Sequence, residues 1–236
     1  MNSNKRKNMK PEERRSQLLD CAQALFFGNG YENTTIADIM RAAEVSKGGF
    51  YHHFSSKDEL LLGVFERMVK QAANGLQPLA DSGVGSALDR LKAIFQERHR
   101  QIKQDSIAGH VIAFDALHRD NNAALYMRFT RALTAALVPI YAQVIKAGID
   151  EGAFNLPDAF AAADIIIKIS NTSHDALGAA ISARGSSTAE AAAQQLEAAI
   201  KIQGLTVDRL LDLPDGTISF RWPDYVDEIM NSSISD

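Results

Sequence analysis

The run from Val45 to Leu61, VSKGGFYHHFSSKDELL, concentrates the most distinctive side chains of the 236-residue chain. Lys47, Tyr51, His52, His53 and Lys57 are hydrogen-bond donors, and Gly48 and Gly49 among them carry no side chain. Such a set suits recognition of a polyanion. A lysine reaches guanine O6 and N7 or a phosphate, a tyrosine hydroxyl reaches a phosphate, and glycines let the backbone approach base edges closely. Two adjacent glycines also lower helix propensity, a cost with no evident structural return. Phe50 and Phe54 are four apart, share one helical face and would anchor the other side of the piece to a core.

These residues need a frame. A first helix is expected from Pro11, with Glu12 and Glu13 in its first turn and Gly28 and Gly30 as its stop. Its apolar stripe is Leu18, Leu19, Ala22, Leu25 and Phe26, and Cys21 beside it reads as an inert core thiol. Thr34 or Thr35 caps a second helix with core positions Ile36, Ile39, Met40 and Ala43. After a short turn a third runs from about Lys47 to Phe54. Ser56 and Glu59 predict a capping box for a fourth starting at Lys57, with Leu60, Leu61, Val64, Phe65, Met68 and Val69 as its stripe. Two short helices across a tight turn, behind a longer one, form a helix-turn-helix unit whose last helix enters the major groove. Thr34, Thr35, Lys57 and the free amides at helix starts suit phosphates. Lys5, Arg6, Lys7 and Lys10 make a basic arm that either enters a minor groove or only solubilises the end. His52 reads as a residue facing solvent or core before it reads as a DNA contact.

Charge agrees with a contact at one end. Residues 1–57 carry a net +3 within a chain of net −4, leaving −7 for the rest. An acidic body argues against coating DNA and for a localised contact. At 46% hydrophobic and 23% charged residues, the composition is that of a soluble globular protein, with no transmembrane helix expected. No apolar run follows the basic start, so no secretory signal is expected, and a single cysteine fits a cytoplasmic protein.

The helix-turn-helix stretch resembles the TetR family of transcriptional regulators. The residues that carry the resemblance are Thr34-Thr35-Ile36-Ala37-Asp38-Ile39, Ala42-Ala43, Val45-Ser46-Lys47-Gly48, Tyr51, His53-Phe54, Lys57 and Leu60-Leu61, within roughly residues 14–62, about a fifth of the chain. The resemblance implies that Lys47, Gly48, Gly49, Tyr51 and His53 contact DNA and that Thr35 and Lys57 bind phosphate. Gly49 departs from the family, which often carries a base-reading side chain there; readout would then lean on Lys47, Tyr51 and DNA shape.

The expected fold is all-α: a helix-turn-helix domain over residues 1–57, with its arm at 1–10, and a larger helical effector and dimerisation domain over 58–236. The break at Leu76-Gln77-Pro78 and the small residues from Ser82 to Gly85 mark the passage between them. Helices are expected over about 85–103, 107–119, 121–150, 157–184 and 188–212, with a kink at Pro139, an extended Thr217–Phe220 and a last helix from Pro223 to Met230.

Phe95, His99, His110, Phe114, His118, Tyr126, Phe129 and Tyr141, with Asn171 and His174, would line a cavity for a small organic molecule, or be ordinary core. A metal held by His110, Asp115, His118 and His174 is the weaker alternative, since no HxxxH or CxxC spacing supports it. Neither metal nor cofactor is expected. The Ala/Gly-rich stretch from Ala176 to Ile200, with Leu177, Ile181, Leu196 and Ile200 as anchors, suits a two-fold homodimer interface through helices near 157–212.

The resulting expectation is a cytoplasmic homodimeric repressor on a palindromic operator, released by a small organic effector. A regulator without a small-molecule effector, or an activator, is the alternative. An enzyme is not expected, because no nucleophile elbow, phosphate loop or paired-acid motif is present.

Overall fold

Helix α1 (Pro11–Asn29) begins where a proline costs no hydrogen bond and ends at Gly30, whose φ of 84° ordinary side chains avoid. In this computed structural model, which describes residues 10–104, 123–169, 173–218 and 225–231, it is followed by α2 (Ile36–Ala42), α3 (Lys47–Tyr51) and α4 (Lys57–Asp81). Then come α5 (Ala87–Gln104), α6 (Ala123–Asp150), α7 (Ala159–Ile169), α8 (His174–Ser182), α9 (Ala189–Leu210) and α10 (Tyr225–Asn231). The fold is all-helical, as the periodicity predicts.

Helix α4 is the axis. Leu60 through Phe65 are all buried, so over these six residues the helix has no solvent face. The reason is position: α1 packs on one side while α5 and α6 pack on others. One apolar core therefore runs from Leu18 and Phe50 in the head, through α4, to Val144 and Ile166 in the body. Gly63 permits the junction. A Cβ there would stand 3.0 Å from Leu19 Cδ2 and 3.1 Å from the Phe54 ring.

Several expectations are corrected. The Leu76-Gln77-Pro78 break does not occur: α4 runs through an exposed Pro78, and the chain turns at Gly83 and Gly85, whose φ values are 58° and 78°. A proline on the solvent side frees only a carbonyl that water can satisfy. The helix expected over 157–184 is two helices, α7 and α8. The first is described to Ile169 and the second from His174; residues 170–172 between them lie outside the described residues. The helix expected over 107–119 lies outside the described residues.

The segment expected to be extended begins as a turn, with Thr217 N–H donating to the Pro214 carbonyl; Ser219 and Phe220 lie outside the described residues. That turn is held by Asp208, a fully buried carboxylate that accepts from the amides of Gly216 (2.7 Å), Thr217 (3.1 Å) and Ile218 (2.8 Å). Three amide donors replace the water a buried charge would otherwise lose. Beyond it α10 packs on α8 and α9, where Ile229, Leu196, Ile200 and Ala180 form a second small core. Leu196 and Ile200, expected between protomers, are thus buried within the chain, with Leu177 and Ile181 packed against them.

Helix α6 is long and apolar enough to cross a membrane by length and composition, contrary to the expectation that no such helix exists. Its buried residues, from Leu125 to Gly148, pack against α4, α5 and α7, which makes it the core helix of the body. It continues through Pro139.

Candidate nucleic-acid interface

Helix α3 is only five residues long, and its two sides differ completely. Phe50 is fully buried and Phe54, just beyond, nearly so; their rings lie 6.3 Å apart and fix the inner side. On the outer side Lys47, Gly48, Tyr51 and His52 are exposed, with Tyr51 at 47% despite its large ring. Ser46 caps the helix by accepting from Gly49 N–H at 3.2 Å. A Cβ on Gly48 would meet nothing within 4 Å, and one on Gly49 would meet Ser46 Oγ at 3.4 Å. Nothing among the described residues therefore requires glycine at position 48.

His53 is half-buried and its ring lies 5.0 Å from that of His52, edge to face. Burial holds its imidazole below the ordinary value of 6.5; His52, Arg15 and Arg14 add to the effect and Glu12 opposes it. Arg14 and Arg15 thus bring positive charge from α1 beside the end of α3, a role unassigned at the level of sequence. Arg15 also stacks over the Phe54 ring at 5.0 Å. Their adjacency in a basic stretch was visible; their proximity to α3 depends on how α1 packs.

The flanking residues separate. Thr35 is the exposed N-cap of α2, closed in a reciprocal box: Asp38 N–H donates to the Thr35 hydroxyl at 3.2 Å, and Thr35 N–H to the Asp38 carboxylate at 3.0 Å. The Thr35 hydroxyl, donating to the Asp38 carboxylate at 2.5 Å, and then the Thr35 amide hold that carboxyl below its usual range. Thr34 is a correction to the expected surface. It is buried, and its hydroxyl donates to the carbonyls of Gly30 (2.9 Å) and Leu25 (3.2 Å), so it fixes the loop from within. The ammonium of Lys57 donates to the carbonyls of Tyr31 (2.9 Å) and Thr34 (3.1 Å) and lies 4.0 Å from the centre of the Tyr31 ring. Ser56 caps α4 through Glu59 N–H, but the expected box is displaced by one residue. The Glu59 carboxylate accepts from Ser55, whose amide and hydroxyl together offer two donors. The Cys21 thiol is half-buried, and burial followed by Asp20 raises its pKa, which keeps it in the weakly reactive protonated form.

In the body, five of the expected cavity residues fall within the described part. Phe95 and His99 on α5, and Phe129 and Tyr141 on α6, are buried, and Tyr126 is half-buried. The Phe95 and Tyr141 rings are 5.5 Å apart; Phe65, absent from the expected set, stacks at 5.1 Å from Phe129. Burial pushes the Tyr141 phenol up to about 12, against an opposing pull from Arg98. His110, Phe114, His118, Asn171 and the side chain of His174, and with them the alternative metal set that includes Asp115, lie outside the described residues, as do Lys5, Arg6 and Lys7 of the arm.

Known proteins share this layout. Residues 18–64 match the family described as bacterial regulatory proteins, tetR family. The HTH-type transcriptional repressor NemR of Escherichia coli K12 is 32% identical over 90 residues, 38% of this chain and 45% of NemR; the chain thus matches about half the length of that relative. The HTH-type transcriptional repressor KstR2 of Mycobacterium tuberculosis H37Rv is 30% identical over 147 residues, 61% of this chain and 70% of KstR2. The regulator FadR of Bacillus subtilis, solved in complex with stearoyl-CoA, has the same fold, with a TM-score of 0.58 at 18% identity, covering 78% of this chain and 96% of FadR. Together with the helix-turn-helix geometry, these likenesses show that the chain belongs to the TetR family of bacterial regulatory proteins.

Proposed function

We propose that this protein is a cytoplasmic transcriptional repressor that binds a palindromic operator as a homodimer and is released by a small organic effector bound in the helical body. The observation that carries the reading is the outer side of α3. It presents Lys47, Gly48, Tyr51 and His52 to solvent on a helix locked from beneath by Phe50 and Phe54. Lys47 and Tyr51 supply direct contacts, Gly48 and Gly49 allow close approach, and Thr35, His53, Arg14 and Arg15 flank the helix with groups suited to phosphate. Two copies would set their α3 helices about one DNA turn apart.

The homodimer is assigned to the surface of α7 and α9. Phe160 (59% exposed), Ile165 (41%) and Ile202 (60%) leave apolar area there that a second copy would cover. Gln203 on α9 donates to the Ile169 carbonyl of α7 at 3.0 Å, so the two helices offer one joined surface. The effector is assigned to the aromatic group formed by Phe65, Phe95, Phe129 and Tyr141 with His99, between α4, α5 and α6. An apolar setting with a few polar groups suits an organic ligand. The similarly folded FadR, solved in complex with stearoyl-CoA, supports an organic ligand for this fold.

Selection of genomic fragments on the purified protein at ~150 mM salt tests the reading, because weak non-specific binding is suppressed there. Enrichment of a short palindrome is expected; failure to enrich any sequence, including after refolding without ligand, overturns it. On the selected operator, Tyr51→Ala is expected to weaken binding by about 1–3 kcal/mol with an unchanged melting temperature.

A further inference from the structure

Lys57 stands where a phosphate-binding lysine is expected, yet its surroundings give it another occupation. Its ammonium is shared between the carbonyls of Tyr31 and Thr34 and lies over the Tyr31 ring. The next residue, Asp58, accepts a hydrogen bond from the Tyr31 phenol, so consecutive side chains of α4 grip opposite ends of one tyrosine. Tyr31 itself is buried, its ring 5.2 Å from that of Phe26 on α1. Thr34, the second carbonyl partner, directly precedes the cap of α2 and is tied back to Leu25 and Gly30. The first turn of α4 also holds two carboxylates, Asp58 on Tyr31 and Glu59 on Ser55, a poor electrostatic setting for a phosphate.

We propose that Lys57, Asp58 and Tyr31 form a latch that fastens the α1–α2 loop to the first turn of α4, and that Lys57 is a positioning residue rather than a phosphate ligand. The consequence is mechanical. With the loop and the α2 cap fixed to α4, a rotation of α4 carries the helix-turn-helix unit as a rigid body. Without the latch, α2 and α3 keep their charges but lose their fixed angle to the groove. Base contacts depend on that angle, whereas phosphate attraction tolerates its loss. This inference rests on α3 being the DNA-reading helix.

The test uses the full chain, the operator fragment obtained by selection and an unrelated duplex of equal length, titrated over a range of salt. Lys57→Met keeps the length of the side chain and removes its charge; Tyr31→Phe removes the bond to Asp58 and leaves every cation in place. The latch predicts that Lys57→Met weakens operator binding tenfold or more, leaves binding to the unrelated duplex nearly unchanged and keeps the salt slope. Tyr31→Phe should reproduce a smaller part of the same loss of specificity. A Lys57→Met variant that weakens both duplexes alike and lowers the slope by about one would make Lys57 a phosphate ligand and overturn the proposal. Variants that melt earlier but discriminate the two duplexes as the wild type does would overturn it too, leaving the contacts merely structural. If wild-type protein binds neither duplex, the DNA reading itself fails and takes the latch with it.

Discussion

Glycines occur in both halves of this molecule for opposite reasons. Gly48 in the recognition helix faces open space, and a Cβ on Gly49 would meet the capping Ser46 and Val45 at ordinary contact distance. Gly148 in the body sits under the ring of Phe154, so close that a Cβ could not coexist with it, and Gly63 lies against Leu19 and Phe54. Polar groups divide the same way. On the head, Lys47, Tyr51 and His52 point outward; in the body, Asp208 is sealed in and satisfied by three amides. A residue whose surroundings demand it serves folding. A residue that costs stability and has no partner within the chain points to a partner outside it.

This contrast can be broken by substitution. Asp208→Ala should have the largest effect, because it leaves three buried amides without an acceptor. A loss of about 3 kcal/mol is expected from the shift in urea midpoint, with operator affinity of the folded fraction intact. Gly148→Ala should lower stability by about 1–3 kcal/mol through overpacking against Phe154, again with DNA binding retained. If either variant instead bound DNA poorly while remaining fully folded, head and body would not be separable in this way.

Gly48→Ala should act in the reverse sense. Added helix propensity is expected to stabilise the protein by about 0.5–1 kcal/mol, while operator binding falls at least tenfold (about 1.4 kcal/mol) because the methyl occupies the space reserved for DNA. Retained affinity would remove close backbone approach from the recognition mode.

The smallest effect concerns pH. Because burial, with His52, keeps the folded-state pKa of His53 below 6.5, the unfolded chain takes up this proton first as pH falls. The contribution is therefore complete above about 6.5 and is lost progressively below it. Melting temperature should decline modestly from about pH 7.5 to about pH 5.5, and His53→Gln should flatten that decline. An identical pH profile in the variant would place the titration elsewhere.

The sequence by itself determined whatever depends on neighbours a few positions away. The limits of α1, the caps at Thr35 and Ser56, the burial of Phe50 with Phe54, and the apolar stripe of α4 all follow from helical period and capping chemistry. The head was legible because its signals are short-range and its recognition residues, Lys47 to His53, lie within two turns of one another. Only the tertiary structure decided the rest. Lys57 finds carbonyls 26 and 23 residues earlier, and Asp208 finds amides that reach it only after the chain turns back at Pro214. Leu196 and Ile200 pack on Ile229 of α10, about 30 residues further along the chain. A lysine or a buried leucine has the same local pattern whichever partner it takes. The choice is made by which elements the fold brings within hydrogen-bond or van der Waals reach, and that information is carried by no single stretch of the chain.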